Sequence, residues 1–312
     1  MQVPGASAFV TMLVTFLFFS VIAEHFLTWK ATWSYLTIAG EIGVVAVGVT
    51  LLMTAGRFDL SVGSTFGVST VIVAWLMQNG LSAPLATLMG LVAASLIGLL
   101  NGLFVAYTLA PSLVITLASS MAWRGVVYWI TEGFPIAVNV HDPFFRIFNW
   151  TLPGGFMVSL IWMFVFAFVF HFGLFHTPIG NWTSAIGGNP GAARKSGVAV
   201  NRVLITLYVL VALAAATAGM LQLTRFGSVD ALRGQFIEFR IIAAIVIGGT
   251  RLQGGVGSVW GTVFGVIAFG MFQVGLQLAK VPSYFYESLI GIVLLVAALT
   301  QEHSLKVVKS WR

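Results

Sequence analysis

The fold of this chain is decided by stretches such as 34–55, SYLTIAGEIGVVAVGVTLLMTA, in which Glu41 is the sole charged residue. A helix needs about 20 mostly apolar residues to cross a bilayer, and this stretch is that long. Comparable stretches recur along the chain, so the sequence predicts an all-α polytopic membrane protein. We place about ten transmembrane helices, near 9–27, 34–55, 60–78, 85–108, 111–131, 155–175, 203–223, 237–250, 256–279 and 283–300.

The composition excludes a water-soluble protein. Of the 312 residues, 8% are charged and 59% are hydrophobic, whereas soluble domains carry roughly a quarter charged residues. The net charge of +6 is scattered between apolar runs and forms no basic face, so we expect no nucleic-acid partner. Cysteine is absent, which excludes disulfides and cysteine-containing metal sites.

Two predicted spans are weaker than the rest, because 111–131 contains Arg124 and 237–250 is short. Either could be broken or only partly embedded. Residues 1–8 contain no Lys or Arg, so 9–27 is interpreted as a retained first span and not as a signal peptide. No polar stretch is long enough for a soluble domain, and residues 1–312 are therefore expected to form a single transmembrane domain.

The basic residues of the loops indicate an orientation. Loop 176–202 and the C-terminal tail fall on one side of the membrane if ten spans are present. Both are basic, and basic residues in short loops mark the cytoplasm. The sequence therefore predicts that both termini are cytoplasmic. This orientation would place six other basic residues outside, which weakens the bias: Lys30, Arg146, Arg225, Arg233, Arg240 and Lys280.

A short sequence match between two parts of the chain suggests an internal repeat. Arg57 with Val62-Gly63-Ser64-Thr65-Phe66-Gly67 recurs at the same spacing as Arg251 with Val256-Gly257-Ser258-Val259-Trp260-Gly261. The same shift overlays the first four spans on the last four, in one orientation. Internal repeats are common in transporters, although Gly, Val and Ser are abundant here and a chance match stays open.

The loop 185–197, AIGGNPGAARKSG, predicts a very short helix. Asn189 can cap it, Pro190 suits its first position and Gly197 can end it. The helix would present Ala192, Ala193, Arg194 and Lys195. So short a helix is unstable alone in water, so it must rest against a surface, either on its own protein or on a partner that approaches its small face.

Charged residues in or next to spans are candidates for the translocation pathway or its gating. Asp59 precedes a helix start and can accept backbone N–H groups there, and Arg57 could pair with it. Glu41 and Glu287 lie inside apolar spans. Each could bind substrate hydroxyls, carry a proton, or simply bond a neighbouring helix.

Sequence signals of catalysis are missing. The chain contains no G-x-x-x-x-G-K-[ST] phosphate loop, no H-E-x-x-H and no G-x-S-x-G. Neither catalytic residues nor a metal site are therefore expected. A membrane enzyme using His141 and Asp142 is a weak alternative.

Several blocks resemble one family in the same order along the chain. Residues 185–200, AIGGNPGAARKSGVAV, are similar to the cytoplasmic coupling loop of ABC-importer permeases of the ribose and branched-chain amino-acid type. Residues 56–64, GRFDLSVGS, resemble the family's Gly-Gly-Ile-Asp-Leu-Ser-Val-Gly-Ser motif, and 111–136 and 243–261 follow its next signatures. Two residues depart from the pattern: Arg57 replaces a glycine, and Arg240 stands where an acidic residue is expected.

The resemblance implies a fold like that of cobalamin-type (type II) ABC permeases and a function as the inner-membrane permease subunit of a sugar importer. It implies that loop 176–202 docks on an ATPase subunit with two ATPase domains, which binds ATP and Mg, so this chain needs no cofactor. Its other implied partners are a second permease copy or paralogue, a periplasmic or extracellular solute-binding protein, and membrane lipid. The resemblance and the charges inside spans together give the candidates for the pathway or gate: Arg57, Asp59, Ser61, Glu41, Thr116, Arg124 and Glu287.

Other functions stay open at this stage. Within the same family the solute could be a branched-chain amino acid, a nucleoside or autoinducer-2. In another class, a proton-coupled secondary transporter would use Glu41 or Glu287 as the coupling carboxylate.

Overall fold

The computed structural model describes residues 5–152, 154–296 and 299 of the chain. The helices are α1 Ala6–Ile22, α2 Trp29–Thr54, α3 Val62–Gln78, α4 Ala83–Tyr107, α5 Ser112–Thr131, α6 Ser159–His176, α7 Pro178–Gly188, α8 Pro190–Lys195, α9 Val200–Phe226, α10 Ile237–Ile247, α11 Val259–Leu278 and α12 Tyr286–Val296. Two-residue strands β1 Ile136–Ala137 and β2 Ser228–Val229 pair antiparallel. Short 3-10 turns lie at Pro143–Ile147 and Ser283–Phe285.

A helix forms in every one of the ten stretches predicted to span the membrane, and the all-α prediction is confirmed. Within the part of the chain that the structure describes, six helices, α2, α4, α5, α6, α9 and α11, are long and apolar enough to cross a bilayer. α5 runs unbroken through Arg124. α10 has only 11 residues, or about 16 Å at 1.5 Å per residue, so it cannot span alone. The number of crossings stays a prediction.

The first helix is shorter than its predicted span, 9–27. α1 ends at Ile22 and Ala23 is already extended. The turn that follows contains His25 at φ 65°, and α2 begins at Trp29 with the Thr28 side chain accepting from the Ala31 amide. Apolar residues lie on both sides of Glu24 and His25, so composition averaged over the stretch placed the boundary too late.

α2 is the central helix of the bundle, and most of its residues are buried. Its glycines let neighbouring helices approach closely, with Gly40 against Ser159 and Gly48 against Phe170 on α6. The order of these contacts shows that α2 and α6 run parallel. α11 runs the other way, since Thr50 contacts Thr262 at 2.7 Å between hydroxyl oxygens while Tyr35 lies against Gly270.

The helix directions divide the loops between two ends of the bundle. α9 runs antiparallel to α2, because Glu41 meets Arg225 while Gly48 meets Ala214. The C-terminus of α2 and the N-termini of α1, α9 and α11 therefore lie at one end together with α7 and α8, which we call the α8 end. β1, β2 and the 3-10 turn Pro143–Ile147 lie at the opposite end, which we call the β end.

The two segments of the predicted repeat both lie at helix starts. Val62 is the first residue of α3, and α11 begins at Val259, within the second copy. Both helices run from the α8 end towards the β end, as a repeat in one orientation requires. Shared direction does not establish common descent of the two halves, and the repeat stays a prediction.

The outer surface of the bundle is apolar. Large hydrophobic side chains on α1, α4, α5 and α6 are exposed, among them Val14, Phe104, Met121 and Phe168. Such a surface is unfavourable in water and favourable in hydrocarbon. The chain is a multi-pass membrane protein.

Candidate functional site

The predicted helix of the loop forms as α8. The Asn189 side-chain oxygen accepts from the Ala192 amide at 3.0 Å, and Pro190 is its first residue. Gly197 follows the helix at φ +85°, a left-handed conformation that suits glycine. The local sequence thus specifies both ends of a six-residue helix. That this helix couples to an ATPase is not tested by its geometry and stays a prediction.

The sequence suggested that Ala192 and Ala193 together form a small face open to a partner, and the structure separates them. Ala193 is 3% exposed and packs on its own chain, whereas Ala192 is exposed. Arg194 is exposed and donates to the Asn201 side chain at 3.1 Å, and Lys195 is exposed as well. Of the two alanines, only Ala192 can meet a partner directly.

Beneath α8, three separate segments meet at glycines, a contact that we call the glycine junction (Gly56, Gly187, Gly254 and Gly255). A methyl group at Gly187 would overlap the carbonyl oxygen of Thr54, the last residue of α2. Gly254, at φ +84°, lies against the Cα of Gly56. The Gly255 N–H donates to the Thr54 carbonyl at 2.8 Å. The end of α7 therefore touches both the end of α2 and the segment before α11, without side chains between them.

Asp59 accepts hydrogen bonds at the start of α3, as the sequence predicted for a carboxylate at a helix start. Its Oδ1 accepts from the Ser61 backbone N–H at 2.8 Å and from the Ser61 hydroxyl at 2.6 Å. Asn101 of α4 donates to the same hydroxyl oxygen at 2.7 Å. Asp59 is 4% exposed and Ser61 is fully buried. A buried polar network joins the 55–61 segment to α4.

Two further helices hold the same segment. The Leu60 N–H donates to the Thr116 hydroxyl of α5 at 3.0 Å, and the Tyr208 hydroxyl of α9 donates to the Phe58 carbonyl at 2.8 Å. Thr116 itself donates back to the Ser112 carbonyl at 2.9 Å. These bonds satisfy backbone groups that a broken helix leaves unpaired.

The predicted pairing of Arg57 with Asp59 is wrong. Both residues are described, and no ion pair within 4.0 Å joins them. Arg57 is half-buried and its Nε has no hydrogen-bond partner. The Ser61 N–H and hydroxyl occupy Asp59 Oδ1 in its place.

Glu41 is bound to a neighbouring helix, the simplest of the three roles left open for it. It is 3% exposed, and its carboxylate contacts Arg225 of α9 at 2.8 Å from Nε and 3.0 Å from Nη2. Gln222 donates to the same carboxylate at 3.0 Å. The arrangement ties α2 to α9 and leaves Glu41 fully partnered.

Arg124 fixes the segment that leads into α10. Its Nη1 donates to the backbone carbonyls of Arg233 at 2.8 Å and Ala231 at 3.3 Å. Arg233 in turn pairs with Asp230 at 3.0 Å. The charge in α5 is therefore used to hold a loop against the helix, and it does not interrupt the helix.

Glu287 lies apart from the other predicted pathway residues. It is exposed in the first turn of α12, and it lines a cavity together with Arg240. The sequence did not predict four residues that make contacts in this region: Gln222, Asn101, Tyr208 and Gly187. Their partners lie 40 to 181 residues away along the chain, and nothing in the local sequence indicates contacts over such separations. Among described residues, no group of three or more His, Cys, Asp or Glu could hold a metal.

Comparison with known proteins identifies relatives over most of the chain. A family model described as "Branched-chain amino acid transport system / permease component" matches residues 31–298. The ribose import permease protein RbsC of Bacillus subtilis is 36% identical over 258 residues, covering 82% of this chain and 80% of the relative. The autoinducer 2 import system permease protein LsrD of Escherichia coli K12 is 34% identical over 283 residues, with 86% and 84% covered.

A third relative matches a larger share of the chain. The ribose import permease protein RbsC of Escherichia coli K12 is 31% identical over 293 residues, covering 93% of this chain and 91% of the relative. No solved structure matches the chain. The similarity to cobalamin-type permeases thus stays a prediction.

Proposed function

The chain belongs to the family of permease components of branched-chain amino acid transport systems, and from this membership we propose that it is the membrane-spanning subunit of an ATP-driven importer for a sugar or sugar-like solute. The resemblance noted in the sequence to the ribose branch of that family is confirmed by the relatives. Two of the similar proteins are named for ribose import and one for autoinducer 2 import. This favours a sugar-like solute over a branched-chain amino acid or a nucleoside.

The observation that carries the proposal is the glycine junction under an exposed helix. α8 offers Ala192, Arg194 and Lys195 to a partner, while the adjacent end of α7 touches Thr54 and Gly255 without intervening side chains. A partner that moves α8 would push directly on the end of α2 and on the segment before α11. Packed interiors transmit such displacements because they have little free volume.

The proposed partners are those that membership of the family implies. An ATPase subunit with two ATPase domains binds ATP and Mg and docks on α8, so the α8 end is cytoplasmic and the β end faces a solute-binding protein outside. A second copy or a paralogue completes the pathway. ATP-driven closure of the ATPase shifts α8, and the bundle opens to one side of the inner membrane or the other.

A proton-coupled transporter is the rival function. It would need a carboxylate that exchanges protons during transport. Glu41 is held by Arg225 and Gln222, which disfavours it in that role, so of the two carboxylates that the sequence singled out Glu287 remains. The two functions differ in their energy source.

Energy source and partner can be tested in one set of preparations. We expect the chain to co-purify with an ATPase encoded beside it and to support sugar uptake into liposomes with ATP and binding protein. Ala192→Trp should abolish co-purification, because the bulky ring meets the partner. Ala122→Trp, at an exposed alanine of α5, is the matched control and should leave the complex intact.

Two results would overturn the proposal. One is sugar uptake by the chain alone, driven by a pH gradient without ATPase. The other is an intact ATPase complex with Ala192→Trp, which would remove α8 from the partner interface.

A further inference from the structure

A cavity of about 240 Å³ lies between α10 and α12. Its apolar wall comes from Phe236, Phe239, Ile290 and Leu294, and its charged groups are Arg240 and Glu287. Arg240 also lines a smaller neighbouring cavity with Phe272 and Gln273 of α11. Those residues belong to the C-terminal part of α11, so the cavity lies in the half of the bundle near the β end.

The two charged groups do not neutralise each other by direct contact. Among the described residues, neither Arg240 nor Glu287 forms an ion pair within 4.0 Å. Arg240 and Glu287 both line the cavity, and Glu287 is exposed. A guanidinium only donates hydrogen bonds and an ionised carboxylate only accepts them. The cavity therefore offers donors and an acceptor in apolar surroundings, for a ligand that can use both.

We propose that this cavity is a subsite for a neutral polyhydroxylated ligand the size of one sugar ring, an inference that rests on the proposed function and adds a binding site away from the other predicted pathway residues. A hydroxyl group both donates and accepts, so a sugar can donate to Glu287 and accept from Arg240. The apolar face of its ring packs on Phe236 or Phe239. A net charge on the ligand gains little here, because attraction to one of the two groups is offset by repulsion from the other.

The size of the cavity restricts the ligand further. Drug-sized ligands occupy sites of roughly 300–1,000 Å³, and this one is smaller. A single ring fits better than a nucleoside. Arg240 also stands where the family pattern noted in the sequence has an acidic residue. Replacing a carboxylate by a guanidinium exchanges acceptors for donors at the wall, so Arg240 is a specificity-determining residue.

The absence of cysteine from the chain permits a direct test by labelling. Leu294→Cys places one thiol in the cavity wall, and Leu295→Cys places one on the exposed side of the same helix. The full chain is placed in phosphatidylglycerol nanodiscs and labelled with N-ethylmaleimide, with and without D-ribose, D-xylose or D-galactose. At least one sugar should slow labelling of Leu294→Cys about tenfold at about ten times its Kd and leave Leu295→Cys unchanged.

Charge-removing variants show whether the proposed groups are responsible. In the Leu294→Cys background, Glu287→Gln and Arg240→Gln should each remove most of the protection. Glu132→Gln and Arg146→Gln make the same chemical changes at exposed loop residues of the β end and should retain it. Protection that survives Glu287→Gln and Arg240→Gln would overturn the proposal, as would protection by none of the three sugars.

A zwitterionic lipid headgroup is the competing occupant, since it too carries both charges. Slow labelling in phosphatidylethanolamine nanodiscs that sugar does not change further would assign the cavity to lipid and overturn the sugar subsite. Uptake assays separate the two proposals. ATP-driven sugar uptake without protection overturns the subsite alone, and protection without ATP-driven uptake overturns the importer function alone.

Discussion

Glu41 of α2 and Arg225 of α9 form a two-point ion pair inside the bundle, with Nε–Oε1 at 2.8 Å and Nη2–Oε2 at 3.0 Å. The Glu41 side chain is 3% exposed and that of Arg225 is 28% exposed. Gln222, one turn before Arg225, donates to the same carboxylate at 3.0 Å. Two antiparallel helices, far apart in sequence, are thus joined through one carboxylate.

Removing the cation should destabilise the protein more than removing both charges. Arg225→Gln leaves Glu41 buried without its counter-charge, and breaking a buried pair in this way costs about 3–5 kcal/mol. Because Arg225 is partly exposed, we expect the loss in free energy of unfolding to lie at the low end of that range. The measurement is the unfolding midpoint in detergent, where the double variant Glu41→Gln/Arg225→Gln should recover part of the loss. Lys30→Gln, at an exposed site, is the control, and equal midpoints for Arg225→Gln and Lys30→Gln would contradict the argument.

Disturbing the glycine junction should uncouple ATP hydrolysis from sugar uptake. Gly187→Ala puts a methyl group onto the Thr54 carbonyl, whereas nothing lies within 4 Å of a methyl group at Gly188. We expect Gly187→Ala to keep ATPase co-purification and ATP hydrolysis while sugar uptake falls about tenfold or more, since a displacement near 1 Å can cost about a hundredfold. Gly188→Ala should behave like the unmodified protein. Equal uptake in the two variants would show that the junction transmits nothing.

The Asp59 network predicts different results for two substitutions. Asp59→Leu removes the acceptor from the Ser61 N–H and hydroxyl, and each buried unpaired group costs about 1–3 kcal/mol. Asp59→Asn keeps an oxygen in the same place and should retain most stability. Both variants are compared by unfolding midpoint and by uptake. If Asp59→Asn left uptake and assembly unchanged, the gating role suggested for Asp59 would be dropped, and Asp59 would be a structural acceptor alone.

Arg124 predicts a local change in dynamics. Arg124→Met removes the donor to the carbonyls of Ala231 and Arg233. Hydrogen bonds to a charged group contribute about 1.5–3 kcal/mol, so amide hydrogen exchange across 231–236 should accelerate about 10- to 100-fold. Arg251→Met, at an exposed arginine, should leave that segment unchanged. Uniform acceleration throughout the chain would indicate global destabilisation in place of the release of one loop.

The sequence predicted helices and their caps well where the residues that determine them are close together along the chain. The caps of α8 are such a case, since Asn189, Pro190 and Gly197 act within one or two helical turns. Segment ends were predicted less well. α1 stops at Ile22, and the predicted span ran on to residue 27 through Ala23-Glu24-His25-Phe26-Leu27, in which apolar residues flank a polar pair.

The candidate site was predicted only in part for the same physical reason. The sequence singled out Asp59, Ser61, Thr116 and Arg124, and three of these four share one network around the start of α3. It could not supply Asn101 or the true partner of Glu41. Side-chain partners of charged groups depend on which helices pack together, and an apolar helix face gives little information on its neighbour.

What the sequence by itself determined is the solvent, the secondary structure and the need of one short helix for a supporting surface. A chain with 59% hydrophobic and 8% charged residues must place its surface in lipid, and long apolar runs in lipid must be helical because every backbone group has to be bonded within the segment. A capped helix too short to be stable alone must rest on something.

Only the tertiary structure decided how these parts act on one another. It placed Gly187 against Thr54 and Gly255, joined Glu41 to Arg225, and left Arg240 and Glu287 facing one cavity. These contacts follow from helix direction and close approach at small residues, and many helix arrangements satisfy the same apolar pattern. The pattern of hydrophobic residues fixes what is buried, and the packing of one helix on another fixes which residues meet.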